Sequence, residues 1–222
     1  MLMDGLRKVM IAAVAGFLVS CGEEGKESDG AVPEEGPWQV LFPQDGLGEW
    51  EVVDFAGHGE VAMSAGALTM EQGVELTGVV WRGEPPAPPY EIELEGRRLL
   101  GSDFFCGLTV PVAGEGRSVT LILGGWGGGV VGISSIDGLD ASENESTVYR
   151  HFADERWYAV RMVVKEERLA VMIDGEELIG VALEGRELGM RAGEISRCAP
   201  LGLATWQTAG EFRDLRWRKL PD

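Results

Sequence analysis

The sequence predicts an all-β sandwich of two antiparallel sheets. From Trp38 onward, short apolar runs recur at roughly ten-residue spacing, each bounded by Gly, Pro, Asp or Asn. Beyond the first twenty residues, no stretch of useful length repeats its apolar positions at the helical period. Glycine makes up 33 of 222 residues, about twice the usual ~7%, and falls between the apolar runs as turn residues do.

Residues 1–20 read as a targeting segment and stand outside the fold. Arg7 and Lys8 supply a basic end, and Val9–Val19 is an apolar run far short of the ~20 residues a spanning helix needs. Leu18-Val19-Ser20-Cys21 resembles the bacterial lipobox, whose cysteine is acylated and becomes the mature N-terminus. The competing reading is an ordinary secretory leader with a chance cysteine. The first reading makes Cys21 a lipidation site and assigns the protein to a bacterial cell envelope. With Gly22 rather than aspartate after the cysteine, the resemblance implies the outer membrane. Residues 21–37 hold one large apolar side chain, Val32, too little to offset the entropy of ordering, so they predict a disordered tether. The domain is then 38–222. Its formal net charge of −18, counted over the whole chain, argues against nucleic acid or bare anionic lipid as a partner.

Within the domain, Trp38 to Phe42 is a first strand ended by Pro43-Gln44-Asp45-Gly46. Trp50 to Phe55 and Ala67 to Glu71 are short strands around a glycine-rich loop holding His58, and Val74 to Trp81 is another. Glu84 to Pro89 is too rich in proline to join a ladder. Tyr90, Ile92 and Leu94 alternate inward with Glu91, Glu93 and Glu95 outward. Asp103 to Val112 is apolar on both faces, as a central strand would be. Ser118 to Trp126 and Val130 to Ser135 pair across three glycines, and Ile136 to Ser146 is an acidic loop followed by a strand from Thr147 to Phe152.

The clearest stretch is Trp157 to Val181. Tyr158, Val160, Met162 and Val164 keep a period of two, Leu169, Val171 and Ile173 repeat it, and Asp174-Gly175 suits a primed turn. A three-stranded meander follows. Gly202 to Trp206 and Glu211 to Lys219 close the domain, the latter with an imperfect alternation of Phe212, Leu215 and Trp217. Trp157 and Trp217 read as core residues. Cys106 and Cys198 read as buried free thiols, although an envelope compartment would permit a disulfide.

Three segments resemble the concanavalin-A-like jelly roll: Arg156–Val164, Val171–Leu178 and Leu201–Leu220. With the opening Trp38–Val52, they are similar to the domain family named for 3-keto-disaccharide hydrolases, common in envelope lipoproteins. The resemblance spans roughly Pro37 to Leu220 and implies a jelly-roll sandwich that handles carbohydrate. The family's mid-domain acidic residue has no counterpart in Gly124–Val131.

Glu91, Glu93 and Glu95 place three carboxylates on one face of a strand, neighbours ~7 Å apart, and paired carboxyls are what glycoside hydrolysis uses. The spacing also resembles the Glu-x-Asp-x-Glu strand of laminarinase-type β-glucanases, with Glu93 where the aspartate stands. Glu93 and Glu91 are therefore candidate catalytic residues; the alternative is a solvated acidic face. Trp126, flanked by glycines, is a candidate platform for sugar stacking or a core residue. Asp103, Asn144 and Glu145 are candidate substrate contacts at the rim.

The loop bearing Asp137, Asp140, Glu143, Asn144 and Glu145 offers hard oxygen ligands that would suit calcium, without EF-hand spacing; a solvated loop is the alternative. His58 and His151 are each a general base or a surface histidine. No nucleophile elbow, phosphate loop or dinucleotide fingerprint is present, and no cofactor is called for. Three readings remain, the first two being a hydrolase or lyase of glycosides or 3-ketoglycosides and a non-catalytic glycan-binding module using the same concave sheet. A structural envelope protein is the third.

Overall fold

The computed structural model describes residues 35–221. The expected leader, Cys21 and the greater part of the expected tether lie outside the described residues. The chain is seated on the domain slightly earlier than expected: the Gly36 amide donates to the Lys219 carbonyl at 2.9 Å, and the Glu35 carboxylate pairs with Arg218.

Among the described residues, fifteen strands form two antiparallel sheets, which makes the domain a jelly-roll β-sandwich. They are β1 (Gln39–Val40), β2 (Trp50–Val52), β3 (Val61–Ser64), β4 (Ala67–Met70), β5 (Leu76–Trp81), β6 (Tyr90–Gly101), β7 (Cys106–Pro111) and β8 (Ser118–Gly124). β9 (Val130–Ser134), β10 (Val148–Tyr149), β11 (Tyr158–Val164), β12 (Arg168–Ile173), β13 (Glu176–Ala182), β14 (Gly202–Trp206) and β15 (Thr208–Lys219) follow. The first sheet runs β13-β12-β11-β6-β15-β4-β3, with β1 also on β15. The second runs β10-β9-β8-β7-β14-β5-β2.

The meander forms as the alternation requires. Tyr158, Val160, Met162 and Val164 are buried, and Asp174 (φ 55°) and Gly175 (φ 81°) make the tight turn between β12 and β13. Between the sheets lies the main core, built from Leu68, Tyr90, Ile92, Phe105, Leu121, Ile133, Phe152, Phe212 and their neighbours. The imperfect period of β15 has a local cause. A bulge between Arg213 and Arg216, with Asp214 at φ 55°, shifts the alternation by one residue, so Phe212 and Leu215 both point inward.

Three features depart from the expectation. Val61–Ser64, inside the expected glycine-rich loop, forms β3 by pairing with β4 through an Ala65-Gly66 turn. A 3₁₀ turn at Glu194–Cys198 had no periodic signal. Trp157 stands on the outer face of the first sheet, half-buried under Arg97 and Arg213.

The second sheet is also covered in part on its outer face. Leu76 and Val80 of β5, Ile122 of β8 and Ala204 of β14 point away from the main core and meet Phe55, Phe104, Ala141 and Cys198 in a second apolar cluster. The loop after β9 is drawn tight against the sheet. A Cβ on Gly132 would fall 2.3 Å from the Ala141 carbonyl oxygen, so only glycine allows that approach.

Candidate functional site

Where the cover over the second sheet is incomplete, a cleft of about 360 Å³ remains. Its floor is Thr120 and Ile122 of β8, Ser134 of β9, Leu76 of β5 and Trp206 at the end of β14. Asp103, Phe104 and Trp126 close one end, and Arg191 to Ile195, leading into the 3₁₀ turn, close another.

Trp126 is held there by backbone geometry that few large residues adopt. It lies in the turn between β8 and β9 at φ 49°, ψ 54°, between Gly124 (φ 78°) and Gly127 (φ 85°). A left-handed conformation costs a bulky L-residue roughly 1–2 kcal/mol, and the surroundings hold it. Asp103 does the holding. One carboxylate oxygen accepts the Phe104 amide at 2.8 Å, the other accepts the Gly127 amide at 3.3 Å, and the Asp103 amide donates to Thr208 Oγ1 at 3.2 Å. Trp126 is 45% exposed.

The opposite wall is held by a polar chain. Arg191 pairs with Asp140 at 3.0 Å, and Asp140 accepts Ser134 Oγ at 3.0 Å. The acidic loop after β9 thus braces two lining residues through Asp140 without lining the cleft itself.

The structure brings Trp126 and Asp103 together and separates them from the other candidates. Asn144 is buried: its amide nitrogen donates to the carbonyls of Ile133 (2.8 Å), Leu139 (3.0 Å) and Asp140 (2.8 Å), and its oxygen accepts the Ser146 amide at 2.9 Å. It pins the loop and has no free group for a ligand. Glu145 pairs with Arg186 and does not line the cleft. Arg186 also takes Asp137, and among the described residues no cluster of three His, Cys, Asp or Glu groups forms a metal cage.

Glu91 and Glu93 lie on the far side of the sandwich, on the outer face of the first sheet, so the two candidate carboxylates and Trp126 do not share one site. Nor is that face solvated in the way a free acidic strip would be. Across the β6–β15 ladder, Glu91 faces Arg218, Glu93 faces Arg216, Glu95 faces Arg213 and Arg97 faces Glu211. Glu91 is fully buried, one oxygen paired with Arg218 and the other accepting Arg161 Nε at 2.6 Å. Arg216 reaches Glu93 at 2.9 Å. Trp38 covers Arg216 and Arg218 with its ring, 4.4 and 4.5 Å from their guanidinium carbons.

His58 bonds the Gly59 carbonyl at 2.8 Å outside the cleft, and His151 is exposed beside a second basin described below. Sequence reasoning missed Trp206, Phe104, Arg191 and Glu194. Only Trp206 carried a signal, as an aromatic ending a strand whose alternate residues are small.

No protein-family model matches the chain, and no curated protein is similar to it. Solved structures are similar in fold. A β-glucanase from Bacillus licheniformis superposes with a TM-score of 0.56 at 10% identity, over 85% of this chain and 99% of that one. The carbohydrate binding module CBM66 from Bacillus subtilis gives 0.51 at 10% identity, over 75% and 93%. The exoplasmic/lumenal domain of VIP36 in its Ca2+/Man3GlcNAc-bound form gives 0.52 at 10% identity, over 82% and 88%. At such identities the likeness is one of fold.

Proposed function

We propose that this domain is a glycan-binding module of a bacterial cell-envelope lipoprotein, anchored through Cys21, with the cleft on the second sheet as its sugar site. One observation carries the reading: an indole held in a left-handed turn by a dedicated carboxylate, half exposed at the mouth of a cleft that Trp206 and Phe104 also line. Strain of this kind persists where the surroundings hold it and gathers at ligand clamps. Aromatic faces above polar walls suit sugar rings, which offer apolar C–H faces and a rim of hydroxyls. The fold is one on which a β-glucanase, a carbohydrate binding module and a glycan-bound lumenal domain are all built.

The second reading, hydrolysis of glycosides or 3-ketoglycosides, is favoured by Glu75, Asp103 and Glu194 sharing the cleft. Asp103 is the weakest of the three for such work, because both its oxygens hold backbone amides. Binding to a panel of neutral and acidic oligosaccharides, with product analysis on the same samples, decides between the readings. Affinity without turnover, reduced about tenfold or more in Trp126→Ala, is expected of the module. Turnover lost in Glu75→Gln or Glu194→Gln would select the hydrolase. Binding that Trp126→Ala leaves intact would remove the site. For the anchor, Cys21→Ser is expected to abolish incorporation of labelled palmitate and release the protein from the membrane fraction.

A further inference from the structure

On the other side of the Trp126 turn lies a second basin, of about 550 Å³. It is lined by Arg98, Gly101, Ser102, Gly127 to Gly129, Tyr149, Arg150, His151 and Asp154, and it shares Gly127 with the turn that carries Trp126. Arg98 is the unusual member. It projects from β6, its side chain is 9% exposed, and two of its three nitrogens are committed: Nε to Asp154 at 2.7 Å and Nη2 to the Phe152 carbonyl at 2.6 Å. The third, Nη1, is buried with no acceptor among the described residues.

An unmet guanidinium donor in a protein interior is costly, and most such groups find a partner. Here it lies at the wall that Gly128 forms, at φ 103°; a Cβ on that residue would come within 3.2 Å of Nη1. Bare backbone, that of Gly128, separates this donor from the basin, so a ligand reaches it by displacing the glycine turn.

The lining also differs in sign from its surroundings. Two arginines stand against one aspartate in the basin, whereas Glu75, Asp103 and Glu194 outnumber Arg191 in the cleft, and the whole chain carries −18. Arg150 is partly held by Asp174 at 3.1 Å and Glu176 at 3.5 Å, acids outside the lining. His151 and Tyr149 are exposed at the mouth.

We propose that this basin receives the oxyanion of an acidic sugar residue, a carboxylate or a sulfate, while the adjoining ring stacks on Trp126 across the turn. The ligand is then an acidic oligosaccharide at least two residues long. The proposal rests on reading the cleft as a glycan site. By displacing the turn of Gly127 to Gly129, which carries no side chains, the oxyanion supplies the acceptor that Arg98 Nη1 lacks, and a charge-assisted hydrogen bond of this kind is worth about tenfold or more in affinity.

The test titrates the protein with trigalacturonate and its methyl ester, and with a 6-sulfated oligosaccharide and its desulfated form, by calorimetry. Sodium glucuronate, sodium sulfate and glucose are titrated separately while the Arg98 Nε and His151 side-chain signals are followed by NMR. The expected result is about tenfold tighter binding of one acidic member over its neutral form, lost in Arg98→Lys, with shifts at Arg98 and His151. The carboxylate arm and the sulfate arm tell the two oxyanions apart. Should Arg98→Lys fail to fold, His151→Ala at the exposed mouth is expected to weaken the acidic member alone. If acidic and neutral forms bind alike and neither small anion moves the two signals, the basin is not an oxyanion site and the glycan reading of the cleft stands. If no sugar binds and Trp126→Ala is silent, both fail together.

Discussion

Cys106 and Cys198 show how the pleat of one sheet decides chemistry at single residues. Cys106 points between the sheets and Cys198 belongs to the cluster on the outer face, so the second sheet stands between the two sulfurs, and both are free and buried. Burial pushes each thiol up to about 12, with Arg197 opposing weakly at Cys198. Burial also raises the Tyr90 phenol well above its ordinary 10. A thiol that titrates near 9 when unfolded and near 12 when folded binds its proton more tightly in the native state. Its contribution to stability is complete below about pH 9 and is lost as the pH rises toward 12. The native protein should therefore resist iodoacetamide at about pH 8, react at both cysteines once unfolded, and show a Tm that falls steadily above about pH 9. Rapid native labelling of either thiol would show that the cover over that residue opens. Asn144 makes a related point. Its residue type and its acidic neighbours suggest a ligand contact, and only its bonds to Ile133, Leu139 and Asp140 reveal a structural staple.

At the scale of strands, legibility followed the range of the interactions. The meander of β11 to β13 was readable because its alternation and its Asp174-Gly175 turn are local. The inward set Tyr90, Ile92 and Leu94 was readable for the same reason. What answers Glu91, Glu93 and Glu95 was not, because the arginines come from β15, 123 residues away at Glu93–Arg216, beyond a bulge that breaks the period. The ladder makes a graded prediction. Glu91→Ala removes the common partner of Arg161 and of Arg218, the latter beneath Trp38, and should destabilise by about 2–4 kcal/mol, since breaking a buried pair leaves the other charge uncompensated. Glu95→Ala, whose carboxylate and Arg213 partner are both about a third or more exposed, should lose less than about 1 kcal/mol. Thermal unfolding reads both, at roughly 2–4 °C per kcal/mol for a domain of this size. Equal shifts would mean that the ladder acts as a surface charge pattern rather than as a buried network.

The two outer faces of the sandwich are finished differently, and the proposed sugar site follows that difference. On the first sheet, arginines and glutamates neutralise one another in register, and Trp38 and Trp157 lie over the guanidiniums, so that face satisfies its own groups. On the second, the loop after β9 and the segment ending in the 3₁₀ turn cover only part of the apolar surface, and the gap is where Trp126 stands. The cleft joins residues from position 75 to position 206, so no window of sequence could display it, whereas the sheets it rests on were evident from turns and alternation. A saddle of about 690 Å³ on the first face, lined in part by Glu93, Glu95, Arg161 and Arg216, is the competing location for a ligand. Its polar groups are already paired, so a sugar entering there would have to replace bonds rather than complete them. Glu93→Gln is accordingly expected to change oligosaccharide affinity by less than about twofold, and hydrogen-exchange protection on binding should fall on β8, β9 and residues 191–195 rather than on β6 and β15. Loss of binding or of turnover in Glu93→Gln, with the fold intact by circular dichroism, would move the site to the first sheet and restore the carboxylate strand to a catalytic role.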